Sequence, residues 1–310
     1  MAGRPATGSV REFLGDLAAL LRPATLKRAL FGFSGNDGLG LAAQLAYYMV
    51  LALFPLVLVL VSVMGTFSSP QLAEGMLEYF REVLPAEVFA LVDSYMADVL
   101  SGQNPAPGLL SFGILGTLWV ASGALSALIN ALNRIYGIRE TRPFWKVKGL
   151  AILMTVGLSG LVFLGVFLLV FGPHVGTAIA GFFGLGPLFE VVWHVVRWPV
   201  ALVFLMVPVA LIYYLAPDAG QPFRWITPGG FAAVLLWVLA SLAFSFYVGN
   251  FGAYDATYGS IGTVIVLLLY LYISSLAILL GAELNAALLR TKEELSGERI
   301  LVGEPLGTGR

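Results

Sequence analysis

No cysteine occurs in the 310 residues, and only two histidines, His174 and His194. The first absence removes disulfides, thiolate metal sites and cysteine nucleophiles together. The second puts a histidine-rich metal centre out of reach. Charge is scarce as well: 11% of residues are charged and 59% are hydrophobic, against roughly 25% and 45–50% in soluble domains. A soluble protein of this composition would expose large apolar patches. Disorder, which needs low hydrophobicity and high charge, is excluded for most of the chain. A formal net charge of −1 gives no drive toward nucleic acid.

What the chain has in excess is long apolar runs, the mark of a polytopic helical membrane protein. Six spans are expected, near 41–66, 109–133, 149–172, 193–215, 228–248 and 261–286. Pro55 interrupts the first, and Pro199 and Pro208 the fourth. Residues 173–190 are apolar but glycine-rich, and read as an interfacial or re-entrant piece. Asn250 to Ser260 reads as a short loop.

Three segments flank the spans. Residues 1–40 form a cytoplasmic N-terminal segment with no early hydrophobic core and cleavage site, so no removable signal peptide is expected. In it Val10, Phe13, Leu14, Leu17, Leu20 and Leu21 recur at helical spacing, which fits a basic amphipathic helix on the membrane surface or a frayed tail. Residues 67–108, within the membrane domain 41–290, hold six acidic residues against Arg81 and read as an outer acidic amphipathic segment. A mixed-charge cytoplasmic tail, 291–310, closes the chain. Of the seventeen basic residues, fifteen lie in segments that six spans place on the N-terminal side, leaving Arg81 and Arg197 opposite. Lys and Arg mark the cytoplasmic side, so both termini are expected there. The fold class is an all-α membrane protein of six transmembrane helices with amphipathic periplasmic and N-terminal helices.

Candidate functional positions are polar groups inside the spans. Ser122, Ser126, Asn130 and Asn133 form a stripe on one helix. Gln44, Tyr48 and Pro55 share a face of another. These are either interhelical hydrogen-bonding groups or the lining of a path. Glu283 is a carboxylate within a span, with Arg134 its expected partner. The pair is either an ion pair tying two helices or a proton or cation relay. Asn285, two residues on, points to a different face. Tyr254, Asp255, Tyr258 and Gly259 supply either capping and turn chemistry or an outer gate. No ligand-spaced metal cluster, catalytic triad or cofactor motif is found. No basic, aromatic-lined surface suggests ribonuclease chemistry or a nucleic-acid partner.

Several stretches resemble a known family. Ala42-Ala43-Gln44-Leu45-Ala46-Tyr47-Tyr48 with Phe54-Pro55, Asn130 to Gly137, Arg142-Pro143-Phe144-Trp145, Trp225 to Gly229, Tyr258 to Gly262 and Gly281-Ala282-Glu283-Leu284-Asn285-Ala286 are similar to YihY/BrkB-type proteins, formerly labelled ribonuclease BN. The resemblance covers roughly 25–290. It implies a six-spanning protein of the bacterial inner membrane, with export or flipping of lipid-like molecules or a part in envelope resistance among its proposed roles. It supplies no agreed catalytic residues. The expected function is a non-enzymatic, transporter-like movement of a lipid or other amphiphilic solute. The alternative is an envelope scaffold or assembly factor acting through the outer acidic segment. The bilayer is the expected partner, with a homo-oligomer or an envelope protein as further candidates.

Overall fold

A computed structural model describes residues 10–67, 107–184, 187–220, 226–251 and 254–297. The outer acidic segment at 68–106 and the tail beyond 297 lie outside the described residues. Eight helices account for the described secondary structure: α1 (Val10–Leu20), α2 (Pro23–Gly35), α3 (Gly38–Phe67), α4 (Pro107–Tyr136), α5 (Phe144–Phe183), α6 (Pro187–Leu215), α7 (Pro228–Phe251) and α8 (Tyr254–Ser296).

Local chemistry sets the helix ends. α2, α4, α6 and α7 each open on proline, whose missing N–H costs nothing in the first turn. α4 stops at Gly137, which has φ of +69°. There the Gly137 N–H donates to the Arg134 carbonyl and the Ile138 N–H to that of Asn133. This is the Schellman closure, which a residue with a Cβ enters only at a cost.

Among the described residues, four helices carry stretches long and apolar enough to cross a membrane: Phe144–Leu161, Val195–Leu215, Pro228–Val248 and Val264–Leu295. α3 and α4, at the first two expected spans, are 30 residues each, and α3 holds a shorter apolar stretch, Gly38–Ala52.

Two expectations give way. Residues 173–183 are not a separate broken piece: α5 runs unbroken for 40 residues through Gly172 and Pro173. In lipid no water competes for backbone groups, so glycine and proline interrupt helices less than they do in water. Gly176 also has a packing role, since a Cβ there would strike the indole of Trp193 on α6. The loop expected at Asn250 to Ser260 is helical on both sides of 252–253, with Asn250 in α7 and 254–260 in α8.

The chain forms two compact units, one of Met1–Leu39, Ile129–Trp237 and Ala277–Arg310, the other of Gly40–Leu128 and Val238–Leu276. In the second, Tyr48 lies against Gly123, Ser275 donates to the Leu271 carbonyl at 2.8 Å, and the Ser241 and Tyr270 hydroxyls meet at 3.2 Å. In the first, α1 docks through Phe13 edge-on to Phe231 and through an Asp16–Lys292 ion pair to α8. α1 is therefore packed on protein along one face, while Leu14 and Leu21 remain exposed.

Candidate functional site

The motif Gly281-Ala-Glu283-Leu-Asn285 on α8 lies in the first unit. Residues two apart in a helix face opposite ways, whereas those four apart share a face. Gly281 and Asn285 meet the start of α7, and Glu283 meets α2.

On the α7 side, Gly281 and Gly229 let two backbones touch. A Cβ at Gly281 would lie 2.6 Å from both the Ala233 Cβ and the Tyr213 hydroxyl, and would also strike the Gly229 carbonyl. The buried Tyr213 hydroxyl donates to the Ile278 carbonyl at 2.5 Å. Asn285 completes the cap of α7. Its Oδ1 accepts from the Gly229 N–H at 2.8 Å, and its Nδ2 donates to Thr227 Oγ1 at 2.9 Å. Thr227 Oγ1 in turn accepts from the Gly230 N–H at 3.0 Å. With Pro228 at the first helical position, these bonds satisfy the free donors of the first turn.

On the α2 side, Glu283 is 1% exposed. Its Oε1 accepts from Asn36 Nδ2 at 2.9 Å. Its Oε2 is buried with no hydrogen-bond partner among the described residues. Gly32 packs directly on this carboxylate, and a Cβ there would strike Oε1. Arg290, two turns along α8, sends its guanidinium to the Ile135 carbonyl at 2.8 Å. Arg134, the expected partner, is exposed, and the hydrogen-bond partner of Glu283 is the neutral amide of Asn36, the C-cap of α2.

A second cluster joins the turn after α4 to the turn after α6. Asn133, buried, donates through Nδ2 to Glu140 at 2.8 Å and accepts from the Asp218 N–H at 2.8 Å. Arg142 makes two 2.7 Å bonds to the Glu140 carboxylate and donates to the carbonyls of Leu215 and Ala216 at the end of α6. It also lies 3.8 Å from Asp218, whose Oδ2 accepts from the Thr141 N–H and hydroxyl. Burial pushes the Glu140 carboxyl up, but hydrogen bonds and charge from Arg142, with Asn133, together hold it below its ordinary value. Asp218 is likewise raised by burial and carried lower by Thr141 and Arg142. The bonds to Glu140 raise Arg142, against desolvation. The cluster is an arginine cap on α6 made rigid by two carboxylates.

The remaining sequence candidates are dispersed. Ser126 donates to the Ser122 carbonyl and Ser122 to that of Trp119, so both bond within their own helix. Asn130 and Gln44 are exposed, and Tyr48 is half-buried. Pro55 falls in α3, and Tyr254, Asp255, Tyr258 and Gly259 in the first turns of α8; the side chains of these five lie outside the described residues. Sequence reasoning missed Gly32 and Asn36. The Asn36-Asp37 pair between two apolar stretches carried only a turn signal.

Helices long and apolar enough to cross a bilayer define a helical membrane protein. The chain belongs to the BrkB family: the family described as Virulence factor BrkB matches residues 29–299. The putative ribonuclease-like protein YfkH of Bacillus subtilis (strain 168) is 35% identical over 268 residues, covering 86% of this chain and 96% of the relative. A UPF0761 membrane protein of Alteromonas mediterranea is 26% identical over 297 residues, covering 90% and 92%. One of Ralstonia nicotianae is 26% identical over 271 residues, covering 85% of this chain and 58% of its own length. No solved structure matches the chain.

Proposed function

We propose that this protein moves a lipid or another amphiphilic solute across the bacterial inner membrane, with six spans and both termini in the cytoplasm. The observation that carries the reading is Glu283. It is a fully buried carboxylate within the apolar stretch Val264–Leu295, with one oxygen held by a neutral amide and the other by no hydrogen bond among the described residues. Burying an ionised carboxylate costs several kcal/mol unless it is well paired. A glutamine would tie α2 to α8 without that cost. An acid kept there supports a role in binding or passing a cation or proton, as intramembrane acids commonly do in transport. The B. subtilis relative's ribonuclease-like name does not enter this reading. Fifteen of the seventeen basic residues of the present chain fall in segments expected on one side of the membrane, where membrane orientation accounts for them.

The test is reconstitution in proteoliposomes with a fluorescent phospholipid in both leaflets, followed by quenching from outside. Wild-type protein accelerates exchange between leaflets, and Glu283→Gln, folded to the same unfolding midpoint, loses most of it. Folded wild-type protein that moves no lipid overturns the proposal and turns attention to an envelope partner for the acidic segment.

A further inference from the structure

α2 is amphipathic in the inverted sense. The face it turns toward α8 is small and polar: Thr25 and Ala29 are buried, Gly32 packs on Glu283, Arg28 reaches Thr291 and Glu294 at 3.1 and 3.0 Å, and Asn36 follows at the helix end. The opposite face carries Leu26, Leu30 and Phe31, with Leu30 65% and Phe31 68% exposed. A helix at a water-facing surface shows the reverse pattern. Apolar groups turned outward in a membrane protein meet acyl chains. Lys27 sits among them with its ammonium 5.7 Å from the centre of the Phe31 ring. A long basic side chain at the edge of an apolar face lays its stem on hydrocarbon and keeps its charge at headgroup level. Arg22, exposed at the N-cap, adds a second cation at the same end of the helix. No acidic residue occurs between Asp16 and Asp37. The outer face is therefore apolar and purely cationic, which complements an anionic lipid surface rather than a zwitterionic one. The apolar stretch Gly38–Ala52 begins directly after the turn at Asn36 and Asp37.

We infer that the outward face of α2 meets lipid at the headgroup–acyl boundary, where Leu30 and Phe31 enter the acyl region and Lys27 with Arg22 selects anionic phospholipid. The occupant of this face is lipid. A second copy of the chain is the competing outcome.

Because the chain has no cysteine, any engineered cysteine is unique. Full-length Phe31→Cys, Leu30→Cys and Ala29→Cys proteins are spin-labelled in nanodiscs. Labels at 30 and 31 should collide severalfold more with oxygen than with a water-soluble nickel chelate, and the label at 29 should be shielded from both. A bimane at position 31 should be quenched more by brominated phosphatidylglycerol than by brominated phosphatidylcholine. One basic residue near an anionic surface is worth about fivefold. The preference should therefore reach about 30-fold, fall to about fivefold in Lys27→Gln, and vanish in Arg22→Gln/Lys27→Gln. Preferential collision with nickel at 31 overturns the inference, as does equal quenching by the two lipids. Spin–spin broadening between labels at 31 overturns it in favour of a second copy.

Discussion

Replacing Gly281 by alanine adds one methyl group at the tightest described contact of α8. The new Cβ would lie 2.6 Å from both the Ala233 Cβ and the Tyr213 hydroxyl, and against the Gly229 carbonyl. Carbon contacts settle near 3.5–4.0 Å, so the helices must separate by about 1 Å. Overpacking of this kind costs about 1–3 kcal/mol. Displacing Tyr213 from the Ile278 carbonyl leaves a buried donor and acceptor unmade, for about another 1–3 kcal/mol. The helix propensity gained over glycine returns at most about 1 kcal/mol. The net loss is about 1–5 kcal/mol, a large share of a typical stability of about 5–15 kcal/mol. The control is Gly160→Ala on α5, where nothing lies within 4 Å of the added Cβ and stability should hold or rise. Reversible unfolding in mixed detergent reads both variants. Gly229→Ala should cost as much, because its Cβ strikes the Gly281 carbonyl and the Asn285 amide. The double variant should lose less than the two single losses combined, since one displacement relieves both clashes. An unchanged Gly281→Ala midpoint, or strict additivity with Gly229→Ala, would refute the close-crossing account.

Arg142→Gln removes charged bonds to Glu140, Leu215 and Ala216 and should cost about 3 kcal/mol in the same assay. Glu140 and Asp218 are held below their ordinary values in the fold. They therefore stabilise it above about pH 4, and that contribution is lost as pH falls through the lowered folded values. The wild-type midpoint should drop over this range, and Arg142→Gln should show a shallower drop; equal slopes would refute the clasp. Gly32→Ala should cost about 1–3 kcal/mol by striking the Glu283 carboxylate. Adding Glu283→Ala should recover at least about 1 kcal/mol of that, and an additive pair would separate the two residues.

The long apolar helices were legible because hydropathy over 20 residues reports bilayer-scale structure directly. The breaks were less so. Glycine and proline at 172–184 and the polar run at 250–260 carry turn signals calibrated in water, where exposed backbone has a competitor. α5 and α8 override them. Glu283 was recognisable as an intramembrane acid, but its partner was not. Arg134 was the opposite charge nearest in topology, whereas the group that reaches Glu283 is Asn36, 247 positions away in sequence. α2 itself was obscured because its apolar stripe faces out. Periodicity detects such a stripe without saying which side packs, and only the small residues Ala29 and Gly32 marked the inner face.

The motif on α8 divides by chemistry. Gly281 is needed for backbone approach to Gly229, and Asn285 for the free N–H of the α7 start. Any helix pair crossing this closely at a buried N-terminus would impose those two residues, whatever the protein did. Packing makes no comparable demand for acid at 283. Asn36 needs one acceptor oxygen, which a glutamine carbonyl supplies with the same reach. What glutamine lacks is a site that can gain and lose a proton, and Oε2, buried with no hydrogen-bond partner among the described residues, is the atom to which the proposed function assigns that proton. Of the residues that carry the family resemblance and whose contacts are described, Glu283 is thus the one to which the proposed function assigns chemistry beyond packing. Glu283→Gln should therefore separate activity from folding, while Gly281→Ala and Asn285→Ala should lose both together.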